Sequence, residues 1–189
     1  QQHRQKLFPS KDVVLLGIEH PIEEQIRPGV TFVGYIDILV KNEKTGKITI
    51  YDLKTSRASW TQAQKSDPVK LNQILLYKKF ISEKFDVPLE MVGTEFVILK
   101  RTISENSPYP IPRVSSFEPS NGKPSVNRAW GHIEAFLNEC FDSEGNYRTD
   151  LIKANPGKDS CKYCIFNDKE VYCQESFYKI KKEIGRAHV

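Results

Sequence analysis

The first 54 residues alternate and cluster as strands do. Residues 12–19 (DVVLLGIE) form a short apolar run, the pattern of a buried strand. IEEQI follows as a more exposed strand, and Pro28-Gly29 marks a turn. Residues 30–40 (VTFVGYIDILV) are long, β-branched and aromatic. The polar stretch KNEKTGK, with Gly46, suits a hairpin loop, and residues 48–54 (ITIYDLK) form the returning strand. The period then changes. Asp67-Pro68 predicts a helix start, with Asp as the cap and Pro in the first turn. Val69, Gln73, Leu76, Tyr77 and Phe80 fall on one face of a helix running to about residue 85. A strand is expected over residues 92–101. Residues 104–124 are rich in Ser, Pro and Asn and read as a long loop with one short strand at RVSSF. A second amphipathic helix is expected over residues 125–141, with Val126, Trp130, Ile133, Leu137 and Phe141 as its buried stripe. The tail holds a cysteine cluster and a basic last helix.

Strands, helix, strand, helix is the order of a mixed α/β (α+β) domain, a central mixed β-sheet flanked by helices. The expected division is a core over residues 1–150 and a cysteine-containing tail over residues 151–189 packed on it. A chain of 189 residues suits one compact domain with a small appendage. Hydrophobic residues make up 39% and charged residues 28%, ordinary for a globular protein. There is no run of about 18 apolar residues to cross a membrane, and residues 1–10 lack the apolar core of a secretory signal. The expected location is therefore cytoplasmic. The chain begins at Gln1 and not at Met, which reads as a fragment of a longer protein. The net charge of +4 is compatible with a polyanionic partner without requiring one.

The chemistry concentrates in the hairpin. Side chains on a strand alternate faces, so Ile48, Ile50, Asp52 and Lys54 share one. Two hairpin registers are open. A loop centred near Lys44-Thr45 sets Asp37 opposite Asp52, and one centred on Thr45-Gly46 sets it opposite Lys54. Either register brings two carboxylates and an ammonium together within strongly apolar strands, where idle charges are unwelcome. Close carboxylates repel, and one pKa would rise. A divalent cation removes that conflict. Two carboxylates with water and phosphate oxygens describe a Mg²⁺ or Mn²⁺ site, suited to activating water against a phosphoryl group. Lys54 would orient that water or stabilise developing charge.

Gly34-Tyr35-Ile36-Asp37, then Asp52-Leu53-Lys54, then Gln73 to Tyr77 resemble the ordered motifs GxxD, (D/E)xK and QxxxY. In this the chain resembles the RecB-type branch of the PD-(D/E)XK nucleases, which includes recombination-repair, CRISPR-adaptation and phage exonucleases. The resemblance covers residues 12–101 and the cysteine tail. It implies a restriction-endonuclease-like core and a Mg²⁺- or Mn²⁺-dependent deoxyribonuclease. By the same resemblance Asp37 and Asp52 match the metal ligands and Lys54 the catalytic lysine. Gln73 and Tyr77 match the helix motif lining the site. Glu19 is either a third ligand, direct or through water, or an exposed strand-end glutamate. Many members also carry a metal-binding His on an upstream helix. His20 is out of place for it and His3 lies too near the start. Either that helix belongs to an absent upstream segment or the protein manages without it.

Cys161, Cys164 and Cys173 have the spacing of soft ligands for Zn²⁺ or an iron–sulfur site. The resemblance implies a [4Fe–4S] cluster that ties down the C-terminal end and takes a fourth, upstream cysteine. No cysteine precedes Cys140. The fourth ligand was lost upstream, is replaced by Cys140, or the site is empty. Arg57, Lys100 and Arg101 are candidates for DNA phosphates, and Trp60 either stacks on a base or plugs the core. The leading expectation is a DNA nuclease, an exonuclease acting on single-stranded or duplex ends in recombination, repair or phage replication. Its expected partners are DNA and a helicase or replication complex. The alternative is a non-catalytic nucleic-acid-binding module keeping the nuclease fold.

Overall fold

The computed structural model describes residues 8–102, 108–109, 111–148 and 156–166, with Gln5 and Cys173. It divides into two compact units, residues 1–146 and 147–189. The first holds β1 (Val13–Arg27), β2 (Val30–Asn42), β3 (Ile48–Ser56), α1 (Gln62–Lys65), α2 (Pro68–Lys84), β4 (Val92–Lys100), β5 (Val114–Phe117) and α3 (Lys123–Cys140). The strands form one five-stranded sheet in the order β1-β2-β3-β4-β5. Only β3 and β4 are parallel, joined through α2, and the other neighbours are antiparallel. The sheet is therefore mixed and flanked by helices, as the element order predicted. In the second unit the described helix is α4 (Lys158–Lys162). The expected basic last helix lies outside the described residues.

Local chemistry explains most boundaries. Asp67 caps α2 by accepting from the Val69 N–H, and Pro68 follows where no donor is needed. Thr61 and Gln64 form a capping box on α1, a helix the periodicity did not predict. The Asn42 side chain accepts from the N–H groups of Lys44 and Thr45 and closes the β2–β3 loop, with Gly46 at φ 74°. This selects the first register: Ile38 faces Tyr51 and Lys41 faces Ile48.

Two expectations are corrected. The separate strands at 12–19 and IEEQI are one strand, β1. Pro21 does not interrupt it because β1 is a sheet edge, where a missing N–H costs nothing. Val69 is 80% exposed. Helical periodicity gives a direction around the helix but not whether anything lies opposite its first turn.

The core lies between the sheet and its helices. Ile48 and Ile50 from β3 join Val92, Phe96 and Ile98 from β4, Ile74 to Tyr77 from α2, and Val126 and Ala129 from α3. Ile36 and Leu39 of β2 both belong to it, although they stand an odd number of residues apart. Regular alternation would send them to opposite faces, so the alternation of β2 shifts between them, where the β1–β2 pairing skips Glu19 and Asp37. On β1 the matching break carries Glu19 at φ 48°.

Arg27 ties the β1–β2 turn to the end of α3. Its guanidinium donates to the Leu137 carbonyl at 2.9 Å and to Asn138 Oδ1 at 2.6 Å, adding a second donor to a carbonyl that already accepts the Phe141 N–H. Arg27→Ala is expected to lose about 1–2 kcal/mol of stability, read as a lower urea midpoint at unchanged slope.

Candidate active site

The β2–β3 ladder ends at Ile38–Tyr51. One residue further, where Asp37 and Asp52 would pair, the backbones part. Asp37 fills the gap with its side chain: Oδ2 accepts the Leu53 backbone N–H at 2.6 Å. A carboxylate so takes the place of a strand carbonyl and stays beside Asp52. β3 itself continues, paired with β4 as far as Ser56–Lys100. The sheet is open between β2 and β3 but intact between β3 and β4.

Asp52 is only 4% exposed. Burial pushes its carboxyl above the ordinary range and the charge of Asp37 adds to this. The hydrogen bond and charge of Lys54 work in the other direction. Lys54 Nζ donates to Asp52 Oδ1 at 3.0 Å and lies 2.8 Å from Oδ2. The second contact is ionic without hydrogen-bond geometry, so buried Oδ2 has no hydrogen-bond donor. Such an atom is costly to bury unless something binds it.

Lys54 also donates to Gln73 Oε1 at 3.2 Å, and Gln73 Nε2 donates to the Tyr77 hydroxyl at 3.2 Å. The ammonium has no acceptor, so Gln73 must turn its oxygen to it and its NH₂ to Tyr77. Gln73 and Tyr77 stand one turn apart on α2, as their spacing predicted. The Tyr77 ring lies on Gly34. A Cβ at Gly34 would stand 2.7 Å from Cε1 and 2.9 Å from the hydroxyl oxygen. The glycine three residues before Asp37 is needed for close approach and not for its φ.

The remaining candidates are dispersed. Glu19 falls across from Asp37, in a gap between the pairs Ile18–Ile38 and His20–Ile36, and its side chain is exposed. Among the described residues no three His, Cys, Asp or Glu side chains converge as a metal-holding group. Glu19 therefore does not join Asp37 and Asp52. For the same reason Cys161, Cys164 and Cys173 do not gather, and neither they nor Cys140 at the end of α3 form a disulfide. Trp60 is buried against Phe96 with ring centroids 5.2 Å apart, the core-plug alternative. Lys100 is 8% exposed, which corrects its expected role as a surface contact for phosphates. Its position alternates inward with Phe96 and Ile98 on β4. Arg57 and Arg101 are exposed.

The sequence did not mark Leu53, whose backbone N–H anchors Asp37, or the role of Gly34. The one signal for the latter was a glycine inside an otherwise apolar strand, which marks a close approach.

The structure thus brings two acids and a lysine together at an open sheet row. The model of the PD-(D/E)XK nuclease superfamily matches residues 2–169, and the chain belongs to that superfamily. No curated protein matches the sequence. Among solved structures, one titled "Crystal structure of SSO0001" is similar at 16% identity and a TM-score of 0.41 over 91% of this chain. The alignment spans 65% of that chain.

Two outcomes test this geometry. Gly34→Ala is expected to cost about 1–3 kcal/mol by overpacking, and much less in a Tyr77→Ala background, as a double-mutant cycle in urea would show. Equal costs in both backgrounds would remove Tyr77 as the cause. The second concerns pH. The folded chain holds the Asp52 proton to higher pH than the unfolded chain does. Stability therefore falls as pH rises from the ordinary carboxylate range, near about 4, through the raised value. Asp52→Asn is expected to be more stable than wild type at neutral pH. Its advantage should shrink toward about pH 4.

Proposed function

We propose that this nuclease-superfamily chain hydrolyses phosphodiester bonds in DNA with a divalent cation, at Asp37, Asp52 and Lys54. The observation that carries the reading is the buried Asp52 Oδ2, which has no hydrogen-bond donor and lies beside a second carboxylate. The donor set fits a hard cation. Asp52 Oδ2 and Asp37 Oδ1, which accepts from no described donor, would hold Mg²⁺ or Mn²⁺. The bound cation would polarise a phosphoryl oxygen and lower the pKa of water.

The chain's own residues supply the rest. Asp37 is anchored through its other oxygen on Leu53 N–H, so it presents one oxygen at a fixed position. Lys54 is held between Asp52 and Gln73 and offers its remaining proton where charge develops on the phosphate. Tyr77 fixes Gln73, and Gly34 lets Tyr77 sit. Burial keeps these dipoles in place before substrate arrives, so little reorganisation is left for the reaction.

The RecB-like order of Gly34, Asp37, Asp52, Lys54, Gln73 and Tyr77 supports exonucleolytic action on DNA ends, in recombination, repair or phage replication. Exposed Arg57 and Arg101 are placed to meet backbone phosphates. The thiols Cys161, Cys164 and Cys173 would serve a structural zinc or iron–sulfur centre only after rearrangement, and the reaction does not depend on them.

Purified protein should cleave linear DNA with Mg²⁺ or Mn²⁺, spare closed circles, and stop on addition of EDTA. Asp52→Ala and Lys54→Ala should each lower the rate by at least about 100-fold while keeping the folded circular-dichroism spectrum. Turnover surviving in both variants would sink the site. DNA binding by the wild type without any turnover would replace an enzyme by a binding module.

A further inference from the structure

A cavity of about 410 Å³ lies at the other end of β3 and β4. Lys47, just before β3, and Gly93, at the start of β4, line it, whereas Lys54 stands toward the far end of β3. The stretch from Ile48 to Lys54 spans roughly 20 Å, so the two places are separate. The volume falls in the range of small-ligand pockets, about 300–1,000 Å³.

Its inner wall carries Lys78 of α2, 2% exposed. Lys78 Nζ donates to Asn121 Oδ1 at 3.0 Å and is in none of the ion pairs among the described residues. Asn121 cannot turn to give it more. Its Nδ2 donates to Thr94 Oγ1 at 3.1 Å and to Glu118 Oε1 at 3.2 Å, which fixes the amide. An ammonium with three donors is thus buried with one hydrogen bond, at a cost that a carboxylate partner would normally offset. Burial lowers its pKa and Lys47 adds to this, against the charges of Glu118 and Glu90.

The rest of the lining shows what would satisfy it. Exposed Lys47 and Lys123 stand on the rim. α3 begins here on Gly122, which has no side chain to cap it, and so leaves the positive end of the helix dipole uncompensated. Three cations and a helix start suit a compact dianion. Exposed Glu118 and Glu90 also line the cavity; they repel a ligand that is only an anion but accept hydroxyl donors. We infer that this cavity binds a small phosphate monoester with a hydroxyl-bearing body, its phosphate on Lys78, Lys47 and Lys123 and its hydroxyls on Glu118.

The test uses the full chain in EDTA, so that no ligand binds through a metal at Asp37 and Asp52. A nucleoside 5′-monophosphate and inorganic phosphate are titrated by calorimetry and by thermal shift. The monophosphate should bind and raise Tm, and inorganic phosphate should bind at least about 10-fold more weakly. Lys78→Met should weaken the monophosphate at least about 10-fold. It should leave the ligand-free protein as stable or more so, because an underpaired buried charge is gone. Lys123→Gln changes an exposed residue that cannot unfold the core, and should weaken binding about 3- to 10-fold. The inference is overturned by no saturable binding in the millimolar range, by equal affinity for phosphate and its ester, or by unchanged affinity in both variants.

Discussion

The contact between Asp37 Oδ2 and the Leu53 N–H decides the shape of this sheet. A strand amide inside a fold must find an acceptor. The ordinary acceptor is the neighbouring carbonyl, and had β2 supplied it the sheet would be closed over the acids. Because a side chain supplies it, β2 can leave β3 at this row without leaving an amide unpaired. The neighbouring strand bends at the same row, with Glu19 in the left-handed region, a conformation that a non-glycine residue adopts only where its surroundings impose it. β2 leaves β3 at this row, while β3 keeps its pairing with β4.

The opening would weaken the fold if nothing crossed it, and α2 does so. Lys54, Gln73 and Tyr77 form one hydrogen-bonded line from β3 to the helix, and the Tyr77 ring rests on Gly34 of β2. The line holds Lys54 on a buried carboxylate, where a fixed charge acts more strongly than in water. It also leaves Asp52 underpaired. The protein gives up stability at the row where a cation and a phosphate would supply it, a trade that sites built for binding commonly make.

Much of this was legible in the sequence, for definite reasons. Alternation placed Asp52 and Lys54 on one face, and Asp67-Pro68 marked the helix that carries Gln73 and Tyr77. The register was not settled by pattern, since two loop centres fitted equally. The Asn42 side chain settles it by capping the turn, an interaction that composition does not rank. The breaks at Glu19 and Asp37 were invisible because strand alternation carries no mark where the backbone is forced off it. Lys100 misled and Trp60 was left open. A lysine suggested exposure, but β4 alternates it inward, and Phe96 receives Trp60 as the core plug that was one of its two readings. The cysteine spacing was legible as ligand chemistry, but gathering requires a chain path that spacing does not specify.

One helix ties the chemistry of the molecule together. Tyr77 and Lys78 are neighbours on α2 and differ by about 100° around its axis. Tyr77 reaches toward Gly34 and the open row. Lys78 reaches toward Asn121 and the cavity at the start of β3 and β4. The packed stripe Ile74, Leu75, Phe80 and Ile81 holds the helix against the sheet between them. A close-packed stripe resists small rotations, because each would open voids or force overlaps. Any ligand that pulls on Lys78 therefore acts on the same rigid body that positions Gln73 against Lys54. Two underpaired charges, Asp52 midway along β3 and Lys78 at the cavity by the start of β3 and β4, are served by one helix. The parallel β3–β4 pairing makes that possible, because it is the pairing that requires a helix to cross from the end of one strand to the start of the next.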